Sequence, residues 1–135
     1  MHFTQETDYA LRLVFAFSRL SPGTFLSAAE IAQQNRIPYR FLLRVLKKLK
    51  KAGVIASRQG PDGGYRLGRA ARDISLLDVV EAVEGEVHIN RCLRNLSLCN
   101  AGNAPECAVH RALGSIEEKF RRELEKKHFA SLGAR

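Results

Sequence analysis

Residues 27–51 read Ser27-Ala28-Ala29-Glu30-Ile31-Ala32-Gln33-Gln34-Asn35-Arg36-Ile37-Pro38-Tyr39-Arg40-Phe41-Leu42-Leu43-Arg44-Val45-Leu46-Lys47-Lys48-Leu49-Lys50-Lys51, and this stretch decides the fold. Ser27-Ala28-Ala29-Glu30 has the form of a capping box, in which the serine oxygen takes the amide hydrogen three residues on and the glutamate reaches back. It predicts a short helix over roughly Ala28 to Gln34. Asn35-Arg36-Ile37 is a connector, and Pro38 suits the first turn of a second helix, where its missing N–H costs nothing. That helix should run to about Lys51, ahead of Gly53. Two short helices joined by a tight turn make a helix-turn-helix. At about 100° per residue, Phe41, Leu42, Val45, Leu46 and Leu49 fall on one side of the second helix. Arg40, Arg44, Lys47 and Lys51 fall on the other, with Lys48 at its edge. The cationic stripe contains no acid. One side packs, and the other carries what arginine-to-guanine and lysine-to-phosphate contacts need.

Working outward, Tyr9, Ala10, Leu13, Val14, Phe17 and Leu20 recur at helical spacing, so Gln5 to Leu20 reads as an amphipathic helix ended by Ser21-Pro22-Gly23. After the helix-turn-helix, Val54 to Arg58 and Gly64 to Leu67 read as two strands around Gln59-Gly60-Pro61-Asp62-Gly63, a loop whose Asp-Gly-Gly chemistry permits positive φ. This is a wing, with Arg58 and Arg66 flanking its tip. The candidate DNA-contacting set is therefore Ser27, Tyr39, Arg40, Arg44, Lys47, Lys48, Arg58, Gly63 and Arg66. Ser75-Leu76-Leu77-Asp78 starts a further helix through Val83, ended by Glu84-Gly85. The segment from about Glu86 to Ala104 is polar and without period, which reads as a long loop. Pro105 then allows a last helix through about His128, with a narrow apolar seam of Val109, Leu113, Ile116, Phe120 and Leu124 that suits a dimer partner. The expected architecture is mainly α: a winged helix-turn-helix domain over 1–85, a cysteine-containing loop over 86–107, and a dimerisation helix and tail over 105–135.

Charge is distributed to match. Residues 1–72 hold 13 Lys/Arg against 4 Asp/Glu, whereas residues 73–135 hold 9 against 10, so the whole surplus of the +8 chain lies in the front half and points to a polyanionic partner. The 135 residues, 45% of them hydrophobic, fill one modest core. The first residues lack a basic region followed by an apolar run, and no stretch has the length of a membrane span. The expected location is cytoplasmic, with no membrane partner.

The chain's three cysteines, Cys92, Cys99 and Cys107, stand in a C-x6-C-x7-C arrangement, with His110 three residues after the last. Their odd number argues against a disulfide framework in a reducing compartment. Thiolates with a nearby imidazole are what soft or borderline metals and iron-sulfur clusters take as ligands. Cys107 and His110 are expected on one face of the last helix, with Cys107 near its start, where the helix dipole favours thiolate. A bound cluster would organise the long loop. The same four donors suit a structural zinc site, and the thiols alone suit direct redox sensing. A cysteine-histidine enzyme is disfavoured, because no oxyanion-hole loop or third orienting group is apparent.

Thr7-Asp8-Tyr9-Ala10-Leu11-Arg12, Ile31-Ala32, Phe41-Leu42 to Leu49, Gly53-Val54-Ile55, Gly63-Gly64-Tyr65-Arg66-Leu67, the run Ile74 to Gly85 and the three cysteines together resemble the Rrf2 family of winged-helix transcription regulators. The resemblance covers nearly the whole chain. It implies a homodimer crossed through the last helix, double-stranded palindromic promoter DNA as partner, and one iron-sulfur cluster per protomer on Cys92, Cys99 and Cys107. The cysteine spacing is wider here than the family's, which leaves two-iron and four-iron clusters both open. His110 matches the histidine position of the family's cluster-assembly regulators, and Asp8 matches the carboxylate that its nitric-oxide sensors supply from the partner subunit. Either is a candidate fourth ligand, with Glu6, His2 and His88 behind them. The implied function is cluster-dependent regulation, expected as repression relieved by redox change, nitric oxide or iron-sulfur shortage. A zinc-stabilised or thiol-sensing regulator is the alternative.

Overall fold

The computed structural model describes residues 1–133. Helix α1 (Gln5–Ser18) starts where the Thr4 hydroxyl accepts the Thr7 amide at 3.2 Å, and it buries Thr7, Ala10, Leu13, Val14 and Phe17 along one stripe. α2 (Ala28–Asn35) is capped by Ser27, whose Oγ takes the Glu30 amide at 3.1 Å. Only this half of the anticipated capping box forms, since Glu30 stays exposed. The reciprocal box occurs instead at Ser75 and Asp78, where the two bonds measure 3.1 and 2.9 Å. Arg36, in the left-handed region at φ 52°, turns the chain from α2 into the next helix.

α3 (Tyr39–Lys51) buries Leu42, Val45, Leu46 and Leu49. Pro38 is its cap and not part of its first turn: with ψ 131° it remains extended, and Tyr39 opens the helix. Phe41, assigned to the packing side by its angle, lies at the rim, 40% exposed beside the Tyr9 ring. Strands β1 (Ile55–Arg58) and β2 (Gly64–Leu67) pair antiparallel with Ile55 opposite Leu67. Leu26 adds a bridge to Tyr65, with reciprocal bonds of 2.9 and 2.7 Å, so the wing is anchored to the residue before the Ser27 cap. Mainly helical with one two-stranded sheet, the fold is the winged helix-turn-helix expected.

α4 (Leu76–Glu84) packs on α1 and α3. The stretch read as a structureless loop contains a one-turn helix, α5 (Arg91–Arg94), and 3-10 turns at Leu96–Leu98 and Ala104–Glu106. α6 (Ala108–Lys126) is shorter at both ends than the expected Pro105 to His128 helix. Its end has a physical cause. The chain leaves the helix to pair Ser75 with His128, the Leu76 amide bonding Lys127 O at 2.9 Å and the Phe129 amide bonding Ile74 O at 3.0 Å. Phe129, opening the short α7 (Phe129–Leu132), is thereby inserted into the core at 2% exposure. Burial of such a side chain contributes about 1.5–3 kcal/mol, which a straight continuation would forgo. Of the tail, residues 134 and 135 lie outside the described residues. No described helix is long and apolar enough to cross a membrane.

The core gathers α1, α3, α4 and Phe129. At its edge the Thr4 amide and the Thr7 hydroxyl both donate to Glu84 Oε1, at 2.9 and 2.8 Å, tying the start of α1 to the end of α4. Burial pushes the Glu84 carboxyl up, but the Thr4 amide and the Thr7 and Thr4 hydroxyls outweigh it and hold the group below its ordinary 4.5, with His2 assisting. A depressed folded-state value means stability present above the ordinary value and lost as pH falls through the folded one. Urea unfolding should therefore find Glu84→Gln less stable than the parent at pH 7, with the gap narrowing as pH drops below about 4.

Candidate nucleic-acid interface and cysteine segment

Because Leu42, Val45, Leu46 and Leu49 are fully buried, the opposite side of α3 must face outward. It presents Tyr39, Arg40, Leu43, Arg44, Lys47, Lys50 and Lys51. From Ile31 to Pro61 the chain has no Asp or Glu, so no acid of its own segment offsets this face. Sequence reasoning missed Leu43. It is 42% exposed, and it stands three residues after Arg40 and four before Lys47, so the helical period alone places an apolar side chain in the cationic strip. Lys48, expected at the edge of the strip, has its ammonium 2.7 Å from Glu6 Oε2. Arg44 Nε is 3.4 Å from Glu6 Oε1. Ser27 spends its hydroxyl on the α2 cap.

The wing arginines share one platform. The guanidinium carbons of Arg58 and Arg66 lie 4.1 and 4.9 Å from the centroid of the Phe25 ring, and Arg58 also donates to Asp62 O at 2.8 Å. Such contacts stabilise by about 0.5–1 kcal/mol each at exposed sites, enough to favour one orientation of long side chains. Phe25, whose one sequence signal is an aromatic two residues before the helix cap, was not anticipated. Gly63 is demanded by the turn, since a Cβ there would sit 2.0 Å from the Arg58 carbonyl oxygen.

The three cysteines are free and half-buried. Cys92 rides on α5, Cys99 follows the Leu96–Leu98 turn, and Cys107 caps α6. Cys107 is thus outside the helix that carries His110, a correction to the expected shared face. His110 instead places Nδ1 3.2 Å from Cys92 Sγ. The Cys99 thiol is held below its ordinary value by the amides of Ala101 and Asn103, against a smaller opposing effect of burial and with help from Gly102 and Ala104. Asp8 lies on α1 with its carboxylate 3.2 Å from Arg12. The segment is fastened to α6 by Glu117, which accepts the Ile89 amide at 2.8 Å and lies 3.4 Å from His88 Nδ1. Arg121 of α6 reaches Glu81 of α4 at 2.8 Å. Glu117, beside Ile116 of the seam, was not anticipated: it turns inward and is 9% exposed. In donor chemistry the set fits an iron-sulfur cluster, with three thiols, that of Cys99 lowered in pKa by its own loop. Among the described residues no three His, Cys, Asp or Glu side chains converge on one metal position.

On α6, Leu124 of the seam is buried within its own domain, while Val109, Ile116 and Phe120 are exposed, and the Phe3 ring stacks on Phe120 at 6.4 Å.

Residues 3–135 match a family model described as Rrf2, iron-dependent transcriptional regulator. A Vibrio atlanticus HTH-type transcriptional regulator, IscR, is 33% identical over 110 residues, covering 82% of this chain but 62% of that protein, less than two thirds of its length. Among solved structures, IscR of T. potens superposes with TM-score 0.76 at 19% identity, covering 98% of this chain and 85% of that one. The oxidised form of Staphylococcus aureus CymR superposes with TM-score 0.73 at 23% identity, covering 100% and 98%. At these identities the structural likeness speaks to the fold.

Substituting Gly63→Ala should displace the wing tip and lower stability by about 1–3 kcal/mol, measured as a drop in thermal midpoint, with a parallel loss of affinity for duplex DNA.

Proposed function

The chain belongs to the Rrf2 family of transcriptional regulators, which are not enzymes, and from that premise we propose that it acts as a homodimer on palindromic promoter DNA under the control of an iron-sulfur cluster. The observation that carries the DNA reading is the outward face of α3, cationic and without an acid. Arg40 and Arg44 have the fork geometry for guanine edges, Lys47 suits phosphate, and Leu43 suits a thymine methyl. With the wing arginines on the flanking backbone or minor groove, each protomer reads one half-site. A two-fold dimer then asks for two half-sites about one helical turn apart. The exposed Val109, Ile116 and Phe120 of α6 support the dimer, since three large apolar side chains on one helix call for a cover.

Cys92, Cys99 and Cys107 would hold the cluster, which when bound supplies a centre reactive toward oxidants and nitric oxide. His110, already beside Cys92, is the candidate fourth ligand within the protomer, and Asp8 the candidate from the partner subunit. What the chain itself contributes is a Cys99 thiol whose pKa its own loop lowers and a segment that runs between α4 and α6, fastened to α6 through Glu117. A second reading, direct thiol sensing without a cluster, is favoured by the separation of the three thiols and by the Cys92–His110 pair. Zinc on the same donors is a third.

Protein purified without oxygen should be brown, with iron and acid-labile sulfide in stoichiometric amounts that Cys99→Ser abolishes while the dimer persists. A colourless protein would move the weight to zinc or to thiol chemistry. Arg40→Ala should weaken binding to the selected operator by about 1–3 kcal/mol in a gel-shift titration; unchanged affinity would remove α3 from base reading.

A further inference from the structure

Glu6 sits in the first turn of α1, where an acid ordinarily does no more than complement the helix dipole. Here its side chain is turned onto α3 and keeps 17% exposure. Lys48 donates to Oε2 at 2.7 Å and also approaches Val83 O at 3.5 Å. Arg44 lies 3.4 Å from Oε1, but that oxygen is buried without a hydrogen-bond partner. An acid that merely stapled two helices together would use both oxygens, because a buried acceptor left unpaired loses its hydration without return. Arg44, by contrast, is held by charge alone and its side chain is 61% exposed, free to swing outward.

The consequence concerns the proposed DNA face, on which the following rests. Of the four cations Arg40, Arg44, Lys47 and Lys48, two share in the free protein a single carboxylate from another helix. We propose that Glu6 is an intramolecular competitor of DNA for Arg44 and Lys48, a residue that sets the balance between sequence-independent and sequence-specific binding. Non-specific affinity comes almost wholly from phosphate neutralisation and counterion release. A duplex that offers only phosphates must therefore displace Glu6 for little return. One that also offers matching base edges gains the arginine contact as compensation. Glu6 weakens both modes and weakens the unspecific one more.

The test compares the parent with Glu6→Gln, which keeps the shape and removes the charge, on a duplex of scrambled sequence and on one selected by the parent from a random pool. Affinities are measured across a salt series. Glu6→Gln should bind the scrambled duplex several-fold more tightly, with a salt slope steeper by roughly 0.9 for each cation released, and the selected-to-scrambled ratio should fall. In an Arg44→Ala, Lys48→Ala background the same change should have no effect. Lys48→Gln gives an independent reading: in the parent it should cost the scrambled complex less salt slope than Lys47→Gln. An unaltered slope in Glu6→Gln, looser binding accompanied by a lowered melting temperature, or equal losses for Lys47→Gln and Lys48→Gln would overturn the proposal and leave Glu6 as a staple. A parent protein that binds neither duplex would overturn the DNA reading of α3 itself, and the competition with it.

Discussion

One side of α3 cannot leave the core. Leu42, Val45, Leu46 and Leu49 are fully enclosed by α1, α4 and the strand that follows, and a rigid helix that commits four side chains inward has no freedom in what it shows outward. The orientation of Arg40, Leu43 and Lys47 is a by-product of hydrophobic burial. It needs no contribution from the cations, whose mutual repulsion would otherwise favour spreading them apart. The wing depends on the same commitment, because buried Val54 and Ile55, three and four residues after the helix, lead the chain into β1. Even the turn that starts α1 is placed by it: α1 packs on α3, and its cap is then within reach of Glu84.

What could be read in advance was what short-range chemistry specifies. The period of α3, the glycine-rich wing turn and the Ser75 start of α4 depend on neighbours within a few residues, and all are where the spacing puts them. The misses depend on what spacing does not carry. Phe129 as a core residue and the inward turn of Glu117 each depend on a partner 25 or more positions away, and Pro38 as a cap depends on the backbone conformation of Arg36. Ile74 for Phe129 and Ile89 for Glu117 cannot be inferred from local pattern, and Pro38 reads the same at a cap as in a first turn until the preceding Arg36 is known to be left-handed. Glu6 is the same case in the candidate site. Its position in a first turn has a sufficient local explanation, and only the packing of α1 against α3 reveals the other use.

In the cysteine segment the local reading names donor types and stops short of geometry. Three thiols and an imidazole were legible as a ligand inventory. Which of them meet was not, because that follows from how α5 and the Leu96–Leu98 turn fold back on α6. The pair that does meet, Cys92 with His110, spans that fold-back. Cys99 owes the lowering of its pKa to the backbone of its own loop at residues 101–104, which residue identity barely hints at.

Finally, the return of the chain at Phe129 makes the cysteine segment topologically an excursion. Core residues precede it in α4 and follow it in α7, Glu117 of α6 fastens its start at the Ile89 amide, and Arg121 ties α6 back to Glu81 of α4. The entropy of closing such a loop rises only with the logarithm of its length, about 0.6 kcal/mol for each doubling. Residues can therefore be added between these cysteines, or removed, at little cost to the rest of the domain. A wide spacing such as C-x6-C-x7-C is thermodynamically inexpensive, and the cysteine segment can diverge while the outward face of α3 stays as it is.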